Sequence, residues 1–427
     1  FCDVLIIGGG VAGLEAARTA ALSGAKVIVL EQTAHWGGRA PVDGGTVDGT
    51  PVADFIDALV AELSGMENVT LRTRVMGAGV YDHGYVLGYE RLTDHAPETA
   101  GPRHRLWRIR AGHIVTATGA IERPLSFAGN DIPGVMLASA VRDYLVNWAV
   151  SPGDRTVVVT NNDDAYRTAL ALRRAGLAVP AIIDARVLPK DSPLMAEARA
   201  KGIRILQGHA IDHVIGGKRV RGVAICSHAG EGGAVIEEIA CEAVAMSGGW
   251  SPVVHLWSHC GGKLTWDTAG AMFRPDVNHP PLGADGHGFV TAAGAAGGFF
   301  ALDDILHDAH AAADGVVTTL GFKLPADAVS PNADRQEEAP LAPVWMMPQG
   351  ANVKLREKTW LDYQNDVKVS DVRLAAQEGF VSVEHAKRYT TLGMATDQGK
   401  LSNINGLATL AGAMDADIPA VGTTTFR

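Results

Sequence analysis

The residues whose types and spacing could do chemistry gather near the amino terminus. Gly8, Gly10 and Gly13 form a G-x-G-x-x-G, and Glu31 follows 18 residues after Gly13. This set is suited to holding a dinucleotide rather than to breaking a bond. Gly8 allows a tight turn, Gly10 lets a pyrophosphate approach the backbone, and Gly13 lets helix and strand pack closely. The helix that starts there offers free N–H groups and its positive dipole end to the phosphates. Glu31 can accept from a ribose hydroxyl and would repel a 2′-phosphate, which disfavours NADP.

The elements that must position these groups are legible on either side. Residues 2–7 read as a short buried parallel strand, 14–22 as a helix stopped by Gly24, and 26–30 as a second strand ending at Glu31. The loop Gln32–Arg39 contains Gly37 and Gly38, which permit close approach to a ligand, with a surface turn as the competing reading. It continues through Ala40-Pro41-Val42-Asp43 without a cysteine, so a dithiol relay has no apparatus there. An amphipathic helix is expected over 51–64, followed by a strand from Val69 and the segment to Val75. Antiparallel strands are expected at 79–82, 85–89 and 106–109, with a hairpin loop over about 94–104. The segment 113–120 reads as a further strand ending in Ala117-Thr118-Gly119, where the chain leaves for a second domain.

That second domain opens with a βαβ pattern over 154–184. Where glycines would cradle a phosphate it has Asn161-Asn162-Asp163-Asp164. Side chains there block backbone approach, carboxylates repel phosphates, and such residues are expected to cap the helix instead. Residues 203–246 continue as strands. The last strand of the first domain and its turn fall at 288–298. FAD-binding relatives of such folds have Gly-Asp at this turn, whereas here it is Gly294-Ala295, which favours NAD over FAD. Residues 324–345 are rich in Pro, Ala, Asp and Glu and read as an exposed linker. Helices are expected at 369–377 and 383–389, then a loop over 390–400 that opens another helix.

Composition narrows the class. Of 427 residues, 47% are hydrophobic and 20% charged, enough for two or three globular domains. A net charge of −10 without a basic run argues against nucleic acid and anionic membranes as partners. No apolar run reaches the length of a membrane-spanning helix. Four scattered cysteines and no recognisable signal peptide point to the cytoplasm. The opening at Phe1, on a core strand, reads as a segment of a longer polypeptide. His255, His259 and Cys260 lack a partner cluster of matching spacing, so no metal site is expected. None of the 15 histidines is singled out as a catalytic base, and no catalytic residue is assigned.

The carboxy-terminal stretch carries a resemblance. Residues 362–367, 373–379, 382–400 and 422–427 closely resemble the alpha subunit of heterotetrameric sarcosine oxidase. The likeness extends over essentially the whole chain, and Tyr389–Lys400 is its most specific part. It implies an oxidoreductase component with NAD in the first dinucleotide site. Its beta subunit would hold FAD and oxidise sarcosine, with a covalent FMN between alpha and beta that passes electrons to oxygen. Gamma and delta subunits complete the assembly, and a tetrahydrofolate domain captures the one-carbon product.

By this resemblance NAD lies on Gly8, Gly10, Ala12 and Gly13, with Glu31 and Gln32 at the adenosine ribose. Gly38 and Arg39 border its middle, Val75 lies near the adenine, Gly294 and Ala295 at the far end, and Thr118 and Gly119 belong to the same site. Lys387, Arg388, Thr390, Thr391, Gln398 and Lys400 are candidates to face the FMN, an ordinary packed helical turn being the competing reading. Related opine and amine dehydrogenases carry cluster-binding cysteines in this small domain. Thr396 and its neighbours stand there instead, and no iron–sulfur cluster is expected. The small amino-terminal domain and the folate domain of the family are missing from this segment.

The expected fold is therefore α/β: two Rossmann-like dinucleotide-binding domains of the flavoprotein type and a small helical domain. The first would comprise 1–124 and 275–322, the second 125–274, the linker 323–345 and the helical domain 346–427. Two other functions fit the residues, a free-standing FAD-dependent amine or opine dehydrogenase and a non-catalytic assembly module whose NAD never turns over.

Overall fold

A computed structural model describes residues 1–422, so all of the terminal motif 422–427 except Gly422 lies outside the described residues. Strand β1 (Cys2–Ile7) is nearly all apolar and buried, as a central parallel strand covered on both faces must be. It leads through the glycines into α1 (Val11–Leu22), whose many alanines let it pack closely against the sheet and against a late helix. Strand β2 (Val27–Leu30) pairs parallel with β1, and after α2 (Val52–Ser64), β3 (Val69–Arg72) extends the sheet outward.

The other half of this sheet is a meander of β4 (Val75–Tyr81), β5 (Tyr85–Arg91) and β6 (His104–Thr116). The sequence reads as two separate strands at 106–109 and 113–120, but β6 is continuous from His104 to Thr116. Its first half pairs antiparallel with β5, and its second half pairs parallel with β1. A local hydrophobic pattern cannot reveal that one strand changes partners midway, because the half-exposed first part and the fully buried end each read as a strand of their own.

The second sheet is parallel throughout and is built on β7 (Val135–Leu137), which leads directly into α3 (Ala138–Trp148). Next come β8 (Thr156–Thr160), α4 (Asp164–Arg174), β9 (Ile182–Asp184), β10 (Ile205–Gln207) and β11 (Ala243–Ser247). The strand order is β7-β11-β8-β9-β10. A three-stranded antiparallel sheet over 209–240 packs beside it. The chain passes between the two sheets through an antiparallel pair, residues 120–122 against 250–252.

Strand β12 (Val290–Ala292) then returns to the first sheet beside β6, and α5 (Leu302–Thr319) packs on α1. A small helical unit follows with α6 (Val369–Gln377), α7 (Val383–Thr390) and α8 (Asn403–Ala413) around its own apolar cluster.

The segment read as an exposed linker is a strap. Ala333 bridges to Val47, and Asp334 N–H donates to the Thr46 carbonyl, which ties the strap to a separate two-stranded hairpin at residues 46–51. Further on, Ala339 and Val344 are buried against the second sheet. Its composition suggests solvent exposure because the strap is held through backbone groups and charged side chains, and contributes few apolar ones.

Candidate functional site: an open dinucleotide crevice and a closed one

The glycine turn after β1 is built from three differently constrained residues. Gly8 has φ +112° and its missing side chain faces the Ala117 carbonyl. Gly13 faces the Gly8 carbonyl, so a methyl group there would overlap it. These two glycines close the turn. Gly10 differs, because its φ of −69° and ψ of 176° suit any residue. A Cβ on it would meet nothing nearer than the Gly38 Cα at 3.9 Å. Glycine at position 10 therefore keeps open a space that the chain itself does not fill. That space lies at the N-terminus of α1, where a helix of 12 residues presents its unpaired N–H groups.

Around this space the structure gathers most of the residues expected from the sequence. Glu31 is buried, with one carboxylate oxygen accepting from Gly9 N–H at 2.7 Å and the other from Thr33 N–H at 2.6 Å. A carboxylate has about four acceptor directions, so lone pairs remain for a ribose hydroxyl. Gln32 is exposed beside it, its carbonyl accepting from Arg91. Gly37 N–H donates to the Gly9 carbonyl at 2.8 Å and lays Gly38 across Gly10. Thr118 Oγ1 donates to the Val253 carbonyl at 2.7 Å, and Gly119 has φ +75° with open space where its side chain would be. Gly294 packs on Ala12, which brings the turn after β12, with Ala295, to the start of α1.

Two of these residues are also held by contacts within the chain. Val75 lies next to Glu31, but its N–H donates to the Glu31 carbonyl and its side chain is in the core. Arg39 is clamped rather than free. Its guanidinium lies 4.4 Å above the Trp250 ring and forms a two-pronged pair with Asp43 at 2.7 and 3.3 Å. Sequence reasoning misses Asp43 and Trp250 because their role depends on Arg39 lying between them. The nearest carboxylate to Gly294, Asp308 on α5, accepts from the Gly294 N–H at 2.7 Å.

The equivalent turn after β8 has opposite properties. Asn161, Asn162, Asp163 and Asp164 are all buried. Neither carboxylate caps α4, contrary to the sequence expectation. The Asn162 side chain accepts from Asp164 N–H instead, and the carboxylates are neutralised by buried arginines. Arg186 donates to Asp163 and Asp184, each at 2.7 Å. Arg142 donates to both Asp164 oxygens at 3.0 and 3.1 Å and to Asp43 at 2.8 Å. Burial alone would raise the Asp164 carboxyl, but Arg142, with Arg167 and Arg39, holds it below its usual range. The strap completes the closure. Ala339 N–H donates to Asp163 at 2.8 Å, Asn161 exchanges hydrogen bonds with Ala342, and Arg186 donates to the Ala339 and Pro340 carbonyls. The carboxyl end of β8, where an open α/β sheet would take its ligand, holds the chain's own backbone.

The loop of the helical unit is organised by residues 362–365. Asp362 accepts from Gly393 N–H, Gln364 from Thr396, and Asn365 donates to the Thr391 carbonyl. Thr390, Gln398 and Lys400 donate to carbonyls within the helix or loop, and Lys387 lies along its own helix near Glu384. Thr391, Gln398, Lys400 and Arg388 are exposed. Lys400 lies close to His255, whose pKa burial, helped by that charge, lowers to about 4. His113 is a packed core histidine, 2.9 Å from Thr291 and lowered to about 4 by burial.

Cys2, Cys226 and Cys241 are buried, Cys260 is partly so, and burial raises each thiol. Among the described residues no helix is long and apolar enough to cross a membrane.

The open crevice, the paired Rossmann sheets and the sequence comparisons define the class. The chain belongs to the pyridine nucleotide-disulphide oxidoreductase family, whose profile matches residues 2–273. More particularly, it is homologous along its whole length to the alpha subunits of sarcosine oxidases. It is 40% identical to the sarcosine oxidase alpha subunit of Rhizobium meliloti (strain 1021) and 40% identical to that of Corynebacterium sp. (strain P-1). The chain spans 41% and 44% of those proteins, respectively. Residues 356–427 match the sarcosine oxidase A3 domain. An opine oxidase subunit of Rhizobium meliloti (strain 1021) is 24% identical over the whole chain and 95% of its own length. Among solved structures, an L-proline dehydrogenase from P. horikoshii superposes with TM-score 0.74 at 20% identity, over 100% of this chain and 77% of that one. That likeness establishes the fold.

Proposed function

We propose that this chain is the central part of an NAD-holding alpha subunit of a heterotetrameric sarcosine oxidase. The observation that carries the reading is the space in front of Gly10, bounded by Glu31 at one end and by Gly294-Ala295 at the other. A dinucleotide would lie there, with Glu31 supplying a ribose acceptor while disfavouring a 2′-phosphate. The far end has no carboxylate at position 295, and Asp308 is bonded to Gly294, which supports NAD over FAD. Gly8, Gly10, Ala12 and Gly13 would hold the pyrophosphate, Glu31 and Gln32 the ribose, and Gly38, Arg39, Thr118 and Gly119 the middle of the cofactor.

The second crevice offers no place from which another nucleotide could exchange hydride with this NAD. A structural role follows, since a ligand that binds only the folded state stabilises it. The flavin chemistry would belong to FAD held by a beta subunit, and to an FMN between alpha and beta, with gamma and delta completing the assembly. The exposed groups Arg388, Thr391, Gln398 and Lys400 would face that FMN, with Lys387 and Thr390 holding their helix end. The complex would demethylate sarcosine oxidatively, forming peroxide and passing the one-carbon unit to tetrahydrofolate, in the cytoplasm.

A second reading, an FAD-dependent amine or opine dehydrogenase, is favoured by the 95% coverage of an opine oxidase subunit. One experiment separates the two. The washed chain is denatured, and the released small molecule is identified by absorbance and mass. NAD without flavin is the expected result, whereas released FAD would overturn the assignment.

A further inference from the structure

The meander half of the first sheet has an outward face that departs from the usual rule. An antiparallel sheet with one face on the core normally turns polar residues to water on the other. Here the outward positions carry Met76 and Tyr81 on β4, Tyr85 and Tyr89 on β5, and Leu106, Arg108 and Arg110 on β6. The register makes the patch continuous, with Met76 opposite Tyr89, Tyr89 opposite Leu106, and Tyr85 between Tyr81 and Arg110. Leu106 is 52% exposed and Met76 45%.

The charge on this face is equally unusual. The chain carries a net charge of −10, yet no Asp or Glu stands at an outward position of these three strands. Among the described residues Arg108 has no ion-pair partner, and Arg110 only lies 5.9 Å from the Tyr85 ring. Exposed tyrosines and aliphatics flanked by unpaired arginines are the composition of a protein–protein contact centre. A second copy of the chain is a poor occupant, because a two-fold contact through this face would bring arginines together without a carboxylate to meet them.

We propose that this face docks a separate protein subunit through an apolar patch flanked by carboxylates. The proposal rests on the reading of the chain as part of a multi-subunit assembly. It is tested on the native complex by modifying arginines with phenylglyoxal and mapping the products by peptide mass spectrometry. The same labelling is done on the alpha chain separated from its partners, with exposed Arg219 on the second domain as reference.

Arg108 and Arg110 are expected to be modified at least tenfold less in the complex, and to become reactive on separation. Equal reactivity in both states overturns the proposal. So does protection that persists after separation, because the cover would then belong to the same chain. In the double variant Arg108→Glu, Arg110→Glu one partner should be lost from the complex, with bound nucleotide and melting temperature unchanged. An intact variant complex overturns the proposal. Binding of the wild-type complex to phosphatidylserine vesicles, abolished in the variant, would assign the face to a lipid surface instead. If the wild-type protein has no partner at all, this proposal and the assembly reading fail together. A partnered complex with a bare face sinks only this one.

Discussion

The turn after β1 and the turn after β8 occupy the same place in the parallel strand–helix–strand units of two different sheets, and they differ in what fills them. The first has glycines, and in front of Gly10 the chain leaves a space. The second has Asn161, Asn162, Asp163 and Asp164, and both their side chains and the strap fill the corresponding space. A Rossmann-like sheet thus defines a crevice, while the side-chain volume at one turn decides whether that crevice stays open or is filled by the protein itself. The two solutions also differ in electrostatics. The first leaves a positive helix end uncompensated, and the second matches buried carboxylates with buried guanidinium groups.

The comparison breaks most severely at Arg186. Replacing it with methionine leaves Asp163 and Asp184 buried without their cation, and the expected loss is about 3–5 kcal/mol of stability in urea denaturation. A loss under about 1 kcal/mol would show that the closed crevice is not held by this ion pair. On the open side, Gly13→Ala forces a methyl group onto the Gly8 carbonyl and should cost about 1–3 kcal/mol. Gly10→Ala sharpens the contrast between neighbouring glycines. Its stability should change by no more than about 0.5 kcal/mol, as for a residue without strain. Nucleotide retained through gel filtration should fall about tenfold, a difference of about 1.4 kcal/mol in binding. Unchanged retention would mean that the space in front of Gly10 is not the cofactor site.

The smallest effect concerns Glu15 on α1, a buried carboxylate that lacks the kind of compensation found in the second sheet. Burial outweighs Arg18 and Thr19 and raises its pKa from 4.5 to about 7. Its neighbour His310 is lowered by burial, so both groups favour their neutral forms. At Glu15 the folded state then binds more of the proton than the unfolded state between about pH 4.5 and 7, while His310 acts in the opposite direction. Stability contributed by Glu15 is therefore full below that window and declines as pH rises through it. Melting temperatures of the Glu15→Gln variant should fall less across this range than those of the wild type. Parallel curves would mean that Glu15 is already charged in the folded protein.

Much of the first site was legible in the sequence because it depends on short-range constraints. Gly8, Gly10, Gly13 and Glu31 sit at fixed distances along one strand–helix–strand unit, and periodicity places each element around them. The helices at 52–64 and 369–377 were legible for the same reason, their apolar faces repeating at helical spacing. Asp43, Trp250 and Arg142 were not, because each acquires its role from a residue far away in the chain. Asp163 illustrates the limit well. Its sequence neighbourhood favours a helix cap, and only the approach of Arg186 and Ala339 turns it into part of a buried network.

The sequence by itself determined that the first turn must be free of side chains and that the second could not be. It also determined the strands and most of the helices around them, since backbone conformation and hydrophobic period are local properties. Only the tertiary structure decided that β6 serves three partners and that the polar strap closes the second crevice. It also set the Arg39 guanidinium between Trp250 and Asp43. These outcomes depend on which distant groups meet, and a buried charge or backbone N–H takes whichever partner the fold brings within hydrogen-bonding distance.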